Sequence, residues 1–197
     1  ADAFWPGPLT MILPKSNIVP DETTGGMDTV AVRMPANKTA LALIREGGGY
    51  VAAPSANTSG RPSPTLAEHV YEDLKGKIPL ILDGGAVGIG IESTIIDLTE
   101  EVPVILRPGF ISLEMLSEVI GEVRTDPGIA AGGQDCRPKA PGMKYRHYAP
   151  DAAMFLVEGP QERVIAKIND LTRAAVQEGK KVGIIGTEET ARYYEQG

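Results

Sequence analysis

Apolar and polar positions alternate most clearly over residues 28–35, DTVAVRMP. Val30, Val32 and Met34 fall on one side; Thr29, Ala31 and Arg33 fall on the other. That period of two predicts a half-buried strand. In TALALIREGGG the period changes, predicting a short helix with Asn37 as its N-cap and the glycine run as its stop. Residues 50–53, YVAA, predict a buried strand halted by Pro54. Thr65-Leu66-Ala67-Glu68 has the form of a capping box. It opens a helix with Leu66, Val70 and Leu74 as the apolar stripe and Gly76 as the end. Three further runs read as strands: IPLILD (78–83), STIIDL (93–98) and VPVILR (102–107), the first two joined by GGAVGIGIE. Ser112 then caps a helix that turns Leu113, Leu116 and Ile120 inward and stops at Gly121.

The pattern therefore predicts a mixed α/β layer structure over residues 1–124, with strands feeding polar loops. Residues 125–150 contain Pro127, Pro138, Pro141 and Pro150 and no apolar period, which predicts an extended linker. In 151–197, MFLVEG, a helix with Val164, Ile168, Leu171 and Ala175 on one face, and KKVGIIG read as strand–helix–strand. This is the expected opening of a second α/β domain. The first residues, ADAFWPGPLT, lack a Met and look like mid-domain sequence, and TARYYEQG breaks off inside a helical pattern. A fragment of a longer protein is expected.

Composition narrows the class. A chain of 197 residues can bury a core without disulfides, and the lone Cys136 fits a reducing compartment. No apolar run approaches the length of a membrane span and no signal-peptide pattern opens the chain, so a cytoplasmic protein without a membrane partner is expected. The net charge of −7 argues against a general polyanion binder. One local exception is CRPKAPGMKYRHYAP (136–150), where Arg137, Lys139, Lys144 and Arg146 occur without an acid.

Zinc-protease, zinc-ribbon and esterase motifs are absent. His69 has no second His or Cys four residues away and reads as a surface residue. GGAVGIGIEST resembles a phosphate loop but lacks its Lys-Ser/Thr, so a hairpin and an anion site both remain open. The informative feature is co-occurrence. Ser55 and Asn57 follow one apolar run, Ser93 and Thr94 follow a glycine-rich turn, Arg107 ends VPVILR, and Thr29 and Arg33 share a strand face. Small hydroxyls donate to phosphate oxygens at close range, and arginine adds charge and a planar fork for carboxylate or phosphate. Singly these residues read as structural or as surface charge; together they describe a concave anion site with no nucleophile and no metal cage.

The segments FWPGPLT, VAVRMP, APSANTSGRPSPT, DGG followed by ESTIID, ILRPG and PGMKYRHYAP occur here in one order. In that order they resemble the L-threonylcarbamoyladenylate synthases, YrdC-domain enzymes of the long form. The resemblance is dense to about residue 150 and continues to 197. It implies a twisted, open, mixed YrdC-like sheet with helices and a basic cavity, then a linker and the start of a small Rossmann-like domain. It also implies a nucleotidyltransferase that joins L-threonine, bicarbonate or CO2 and ATP into threonylcarbamoyl-AMP, releasing pyrophosphate. Mg2+ would be held through the phosphates. The product would pass to a tRNA-modifying transferase complex for N6-threonylcarbamoyladenosine, with a weak tRNA contact of the enzyme itself.

Carried over by position, the resemblance assigns Thr29, Ser55, Asn57, Ser63 and Arg107 to the nucleotide, with Tyr145 and His147 as a lid over it. Arg33, Ala53 and Ser93 fall to threonine; no side chain acts as acid, base or metal ligand. The family's N-terminal segment, with its own basic pair, has no match here, so little synthase activity is expected of these 197 residues alone. The rival readings are a non-catalytic RNA-binding module of the same type and a hydrogenase-maturation carbamoyltransferase. Net charge and the absence of an aromatic-basic stripe count against the first; the absence of C-x-x-C counts against the second.

Overall fold

The computed structural model describes residues 1–130 and 152–195. Contacts divide the chain into two units, 1–151 and 152–197. The first contains, in chain order, β1 (Leu9–Pro14), α1 (Asp21–Thr24), β2 (Thr29–Val32), α2 (Lys38–Glu46), α3 (Ala67–Leu74), β3 (Thr94–Asp97), β4 (Val104–Arg107), α4 (Leu113–Ile120), β5 (Arg124–Thr125) and α5 (Pro127–Ala130). The second contains α6 (Gln161–Gln177) and α7 (Glu188–Ala191).

The five strands form one mixed sheet in the order β2-β1-β3-β4-β5. β1 is antiparallel to β2 and parallel to β3; β3 is antiparallel to β4, and β4 parallel to β5. β1 was not anticipated, although Leu9, Met11 and Ile12 are all buried in it. Its apolar run is continuous because both of its faces are covered, so it shows no alternation. One sheet face packs Leu9, Met11, Ile96 and Ile105 against Ile111, Leu116 of α4 and Val123. The other carries a smaller cluster of Ile12, Ile95 and Leu106. Full burial of Ile96 and Leu116 contributes about 1.5–3 kcal/mol each.

Two of the expected caps form. Asn37 Oδ1 accepts the Ala40 N–H at 3.0 Å, and Ser112 Oγ accepts the Met115 N–H at 3.3 Å. Gly121, at φ +82, ends α4 in the left-handed region that suits glycine. The capping box at Thr65 does not form. α3 begins one residue later than its pattern implies, with Leu66 as N-cap, so Glu68 is too early in the first turn to reach back. His69 takes that role instead: its Nδ1 accepts the Thr65 N–H at 3.3 Å.

Other expectations fail for a common reason. Residues 50–53 and 78–83 belong to no strand, and Tyr50, Leu80 and Leu82 are largely exposed. MFLVEG and KKVGIIG likewise flank α6 without strand pairing, leaving Phe155, Leu156 and Ile185 exposed. A strand exists through its neighbour's hydrogen bonds, and no described residue supplies them at these four segments. The α6 face itself is as expected, with Val164, Ile168, Leu171 and Ala175 half-buried. In α4 only Leu116 is fully buried; Leu113 and Ile120 lie outward, and Met115 packs on the core in their place.

Candidate functional site

Strand direction gathers the polar residues. Because β2 and β4 run against β1 and β3, the starts of β1 and β3 lie beside the ends of β2 and β4. Thr10 near the start of β1, Ser93 just before β3, Arg33 just after β2 and Arg107 at the end of β4 therefore lie at the same end of the strands. Face matters as much as position along the strand. Thr10 pairs with Ile95, and Ile12 with Ala31, so these side chains share a face. Thr29 and Arg33, each two residues from Ala31, fall on that face too. It is the face away from α4.

Simple alternation would send Arg107 to the opposite face, alongside Ile105 in the main core. A register shift between Ile95 and Ile96 prevents this: Ile96 pairs with Ile105, but Ile95 pairs with Arg107. The extra residue, Leu106, is a bulge, and Leu106 and Arg107 both turn toward the Ile95 face. This irregularity re-aims the guanidinium at the corner.

There Arg107 clasps Ser93 twice. Its Nε donates to the Ser93 carbonyl at 3.0 Å and its Nη2 to the Ser93 Oγ at 3.1 Å. The Ser93 Oγ also lies 2.8 Å from the Thr10 Oγ1, and Ser93 is only 6% exposed. Partial desolvation of the exposed Arg33 side chain, and secondarily the Arg107 cation, lower the Arg33 pKa from the ordinary arginine value. Two guanidiniums near enough to repel, beside a buried serine, give this corner a positive potential that suits an anion. The corner is closely built: a Cβ on Gly109 would stand 2.5 Å from both the Glu92 carbonyl oxygen and the Thr94 nitrogen. Thr94 has no part in the site, because its hydroxyl is wholly buried and donates to the Ile111 carbonyl at 2.7 Å.

The loop after residue 53 is built differently. Ala53 and Ser55 are exposed; Asn57 and Ser63 are half-buried. Asn57 Nδ2 donates to the carbonyls of Thr58 at 3.0 Å and Arg61 at 3.1 Å, folding the loop on itself around Gly60 at φ +89. Its Oδ1 is buried with no hydrogen-bond partner among the described residues. Asp73 of α3 ties the loop down: Oδ2 accepts the Thr58 N–H at 2.9 Å and Oδ1 forms an ion pair with Arg61. The glycine-rich turn is held by Asn37, whose Nδ2 donates to the Gly84 carbonyl at 3.0 Å while Asp83 Oδ1 accepts the Gly85 N–H.

Of the residues singled out in the sequence, Arg33, Ser93 and Arg107 come together. Thr29 shares their face but begins β2, opposite Pro14, about 13 Å from Arg33 at strand rise. Ser55, Asn57 and Ser63 belong to the tethered loop, and Tyr145 and His147 lie outside the described residues. Thr10 and Asp73 were missed. Thr10 is the one polar residue within LTMIL, a legible signal; Asp73 looks like any acid on a helix surface. His69 is exposed, as expected, and no group of three metal-ligating side chains occurs among the described residues.

Comparison with known proteins gives this geometry a context. The Sua5_yciO_yrdC family, described as Telomere recombination, matches residues 1–109, and the family described as Threonylcarbamoyl-AMP synthase, C-terminal domain, matches residues 111–196. The threonylcarbamoyl-AMP synthase of Pyrococcus abyssi is 58% identical over 95% of this chain and 55% of its own length. That of Bacillus subtilis is 50% identical over 97% of this chain and 54% of its own. The chain thus spans about half the length of the curated relatives it matches. The crystal structure of P. abyssi Sua5 complexed with L-threonine superposes with a TM-score of 0.88 at 57% identity, over 94% of this chain and 54% of that one. With its α/β architecture, open five-stranded mixed sheet and a match across more than half its residues, the chain belongs to the Sua5/YciO/YrdC family.

Proposed function

We propose that the protein carrying this chain makes L-threonylcarbamoyl-AMP from L-threonine, bicarbonate or CO2 and ATP, releasing pyrophosphate, to supply N6-threonylcarbamoyladenosine modification of tRNA. The observation that carries this reading is the corner where Arg107 clasps Ser93 within electrostatic reach of Arg33. It is supported by relatives named threonylcarbamoyl-AMP synthases, one of them solved in complex with L-threonine.

The chemistry suits such a corner. The threonine amine adds to CO2 and loses a proton, and an oxygen of the resulting carbamate attacks the α-phosphorus of ATP as pyrophosphate leaves. Negative charge accumulates on phosphate oxygens throughout, so positioning and fixed cations matter more than a tuned acid or base. In this reading Arg33 and Ser93 hold the threonine carboxylate with backbone at Ala53, and Arg107 faces the phosphates. Thr29, Ser55 and Ser63 contact the nucleotide, Asn57 shapes the loop they share, and Tyr145 and His147 are assigned to it by resemblance alone. Residues 1–124 would be the catalytic domain, 125–150 a linker and 151–197 part of a C-terminal domain, in a cytoplasmic protein that hands its product to a tRNA-modifying transferase complex. The described side chains do not fit a Mg2+ cage, so Mg2+ would enter on the phosphates of ATP.

Pyrophosphate release by the intact protein tests the reading. It should require ATP, L-threonine and bicarbonate together, and fall about a hundredfold in Arg33→Ala and in Arg107→Ala. Release that proceeds equally well without threonine contradicts it.

A further inference from the structure

We propose that Thr10 is a positioning residue which makes the Ser93 hydroxyl a hydrogen-bond donor toward the ligand and so selects a carboxylate there; this rests on the reading above. A serine hydroxyl has one hydrogen and two lone pairs. At Ser93 one lone pair is taken by the Arg107 Nη2–H, since a guanidinium only donates. What remains is decided by Thr10, whose Oγ1 is 2.8 Å away and whose hydroxyl can point either way. If Thr10 donates, both lone pairs of Ser93 are filled and its own O–H is left for the ligand. If Ser93 donates to Thr10, a single lone pair is left and the corner presents an acceptor.

The surrounding charge chooses between these states. With Arg33 and Arg107 both at the corner, the ligand group drawn there is an anion and therefore an acceptor. An acceptor needs the Ser93 O–H, which requires Thr10 to donate. Thr10 is suited to this role by position. It sits in β1 on the same face as Arg33, and its backbone is held by pairing with Ile95 of β3. β-branching further limits its rotamers. It need not touch the ligand; it acts through Ser93.

The test is calorimetric titration of the intact protein with L-threonine and with L-threoninamide, whose neutral amide replaces the carboxylate. Wild type, Thr10→Val and Thr10→Ser are compared, with thermal unfolding of each as the folding control. Thr10→Val keeps the shape of threonine but removes the O–H. L-threonine binding should weaken about tenfold in Thr10→Val, because nothing then holds the Ser93 O–H toward the ligand. The amide should weaken far less, so that preference for the acid shrinks. Thr10→Ser should restore both affinity and preference. Equal weakening of both ligands in Thr10→Val, wild-type affinity in that variant, or failure of Thr10→Ser to restore it would each overturn the role of Thr10 alone. Absence of L-threonine binding by the wild type would overturn the functional reading and this inference together.

Discussion

The strand-end corner and the 54–63 loop bear similar residues, hydroxyls and an arginine, yet are held in place by opposite means. At the corner the side chains rise from paired strands. Ser93 is buried, Arg107 is aimed by a bulge, and the hydrogen bonds of Thr10, Ser93 and Arg107 close among themselves. The loop has no ladder. Asn57 folds it from within and one carboxylate, Asp73, fixes it from outside, while Ser55 remains exposed. The corner is therefore held by its own hydrogen bonds, as the proposed recognition of a small carboxylate demands. The loop would adjust at modest energetic cost around the larger nucleotide that the proposed function places there.

Substitutions should separate the two. The largest effect is expected from Arg107→Ala, which strips Ser93 of two donors: L-threonine affinity should fall ten- to a hundredfold by calorimetry. Arg107→Lys should recover only a small part of it, because an ammonium lacks the fork. Gly109→Ala comes next. Its new methyl meets backbone that cannot swing aside, so the protein should lose roughly 1–3 kcal/mol of stability, read as a lower Tm. An unchanged Tm would show that the corner yields as readily as the loop. In the loop, Asn57→Ala removes two internal hydrogen bonds, and hydrogen exchange should accelerate over residues 57–61 but not in β3 or β4. The smallest effect should come from Asp73→Asn. Thr58 keeps an acceptor and only the pairing with half-exposed Arg61 is lost, so stability should change by less than about 1 kcal/mol while KM for ATP rises a few-fold. If KM for L-threonine rises equally, loop and corner are one unit and the distinction fails.

Much of this contrast was legible in the sequence, but unevenly. Local features were the most readable: the caps at Asn37 and Ser112 depend on a few adjacent residues, and the alternation at 28–35 placed Thr29 and Arg33 on one face before any partner strand was known. Features that depend on distant pairing were not. YVAA and IPLILD have strand composition without a strand neighbour, and the same holds for MFLVEG and KKVGIIG. The bulge at Leu106 leaves no mark on VPVILR, whose alternation alone would put Arg107 on the wrong face. Arg33, Ser93 and Arg107 were recognised as candidates by residue type and motif, yet their meeting point depends on strand direction, which no single segment reveals. Thr10 and Asp73 act through other side chains, and such roles become visible only when the hydrogen bonds are seen.

The account depends most on Arg33 and Arg107 acting at one corner, Arg33 on the threonine carboxylate and Arg107 through its hold on Ser93. Their coupling can be measured directly by titrating L-threonine into wild type, Arg33→Ala, Arg107→Ala and the double variant of the intact protein. Joint action should appear as non-additivity: the double variant should lose clearly less affinity than the product of the two single losses, by about 1 kcal/mol or more. Losses that simply multiply would mean that the two guanidiniums act independently, and would contradict the single corner on which the proposed function rests.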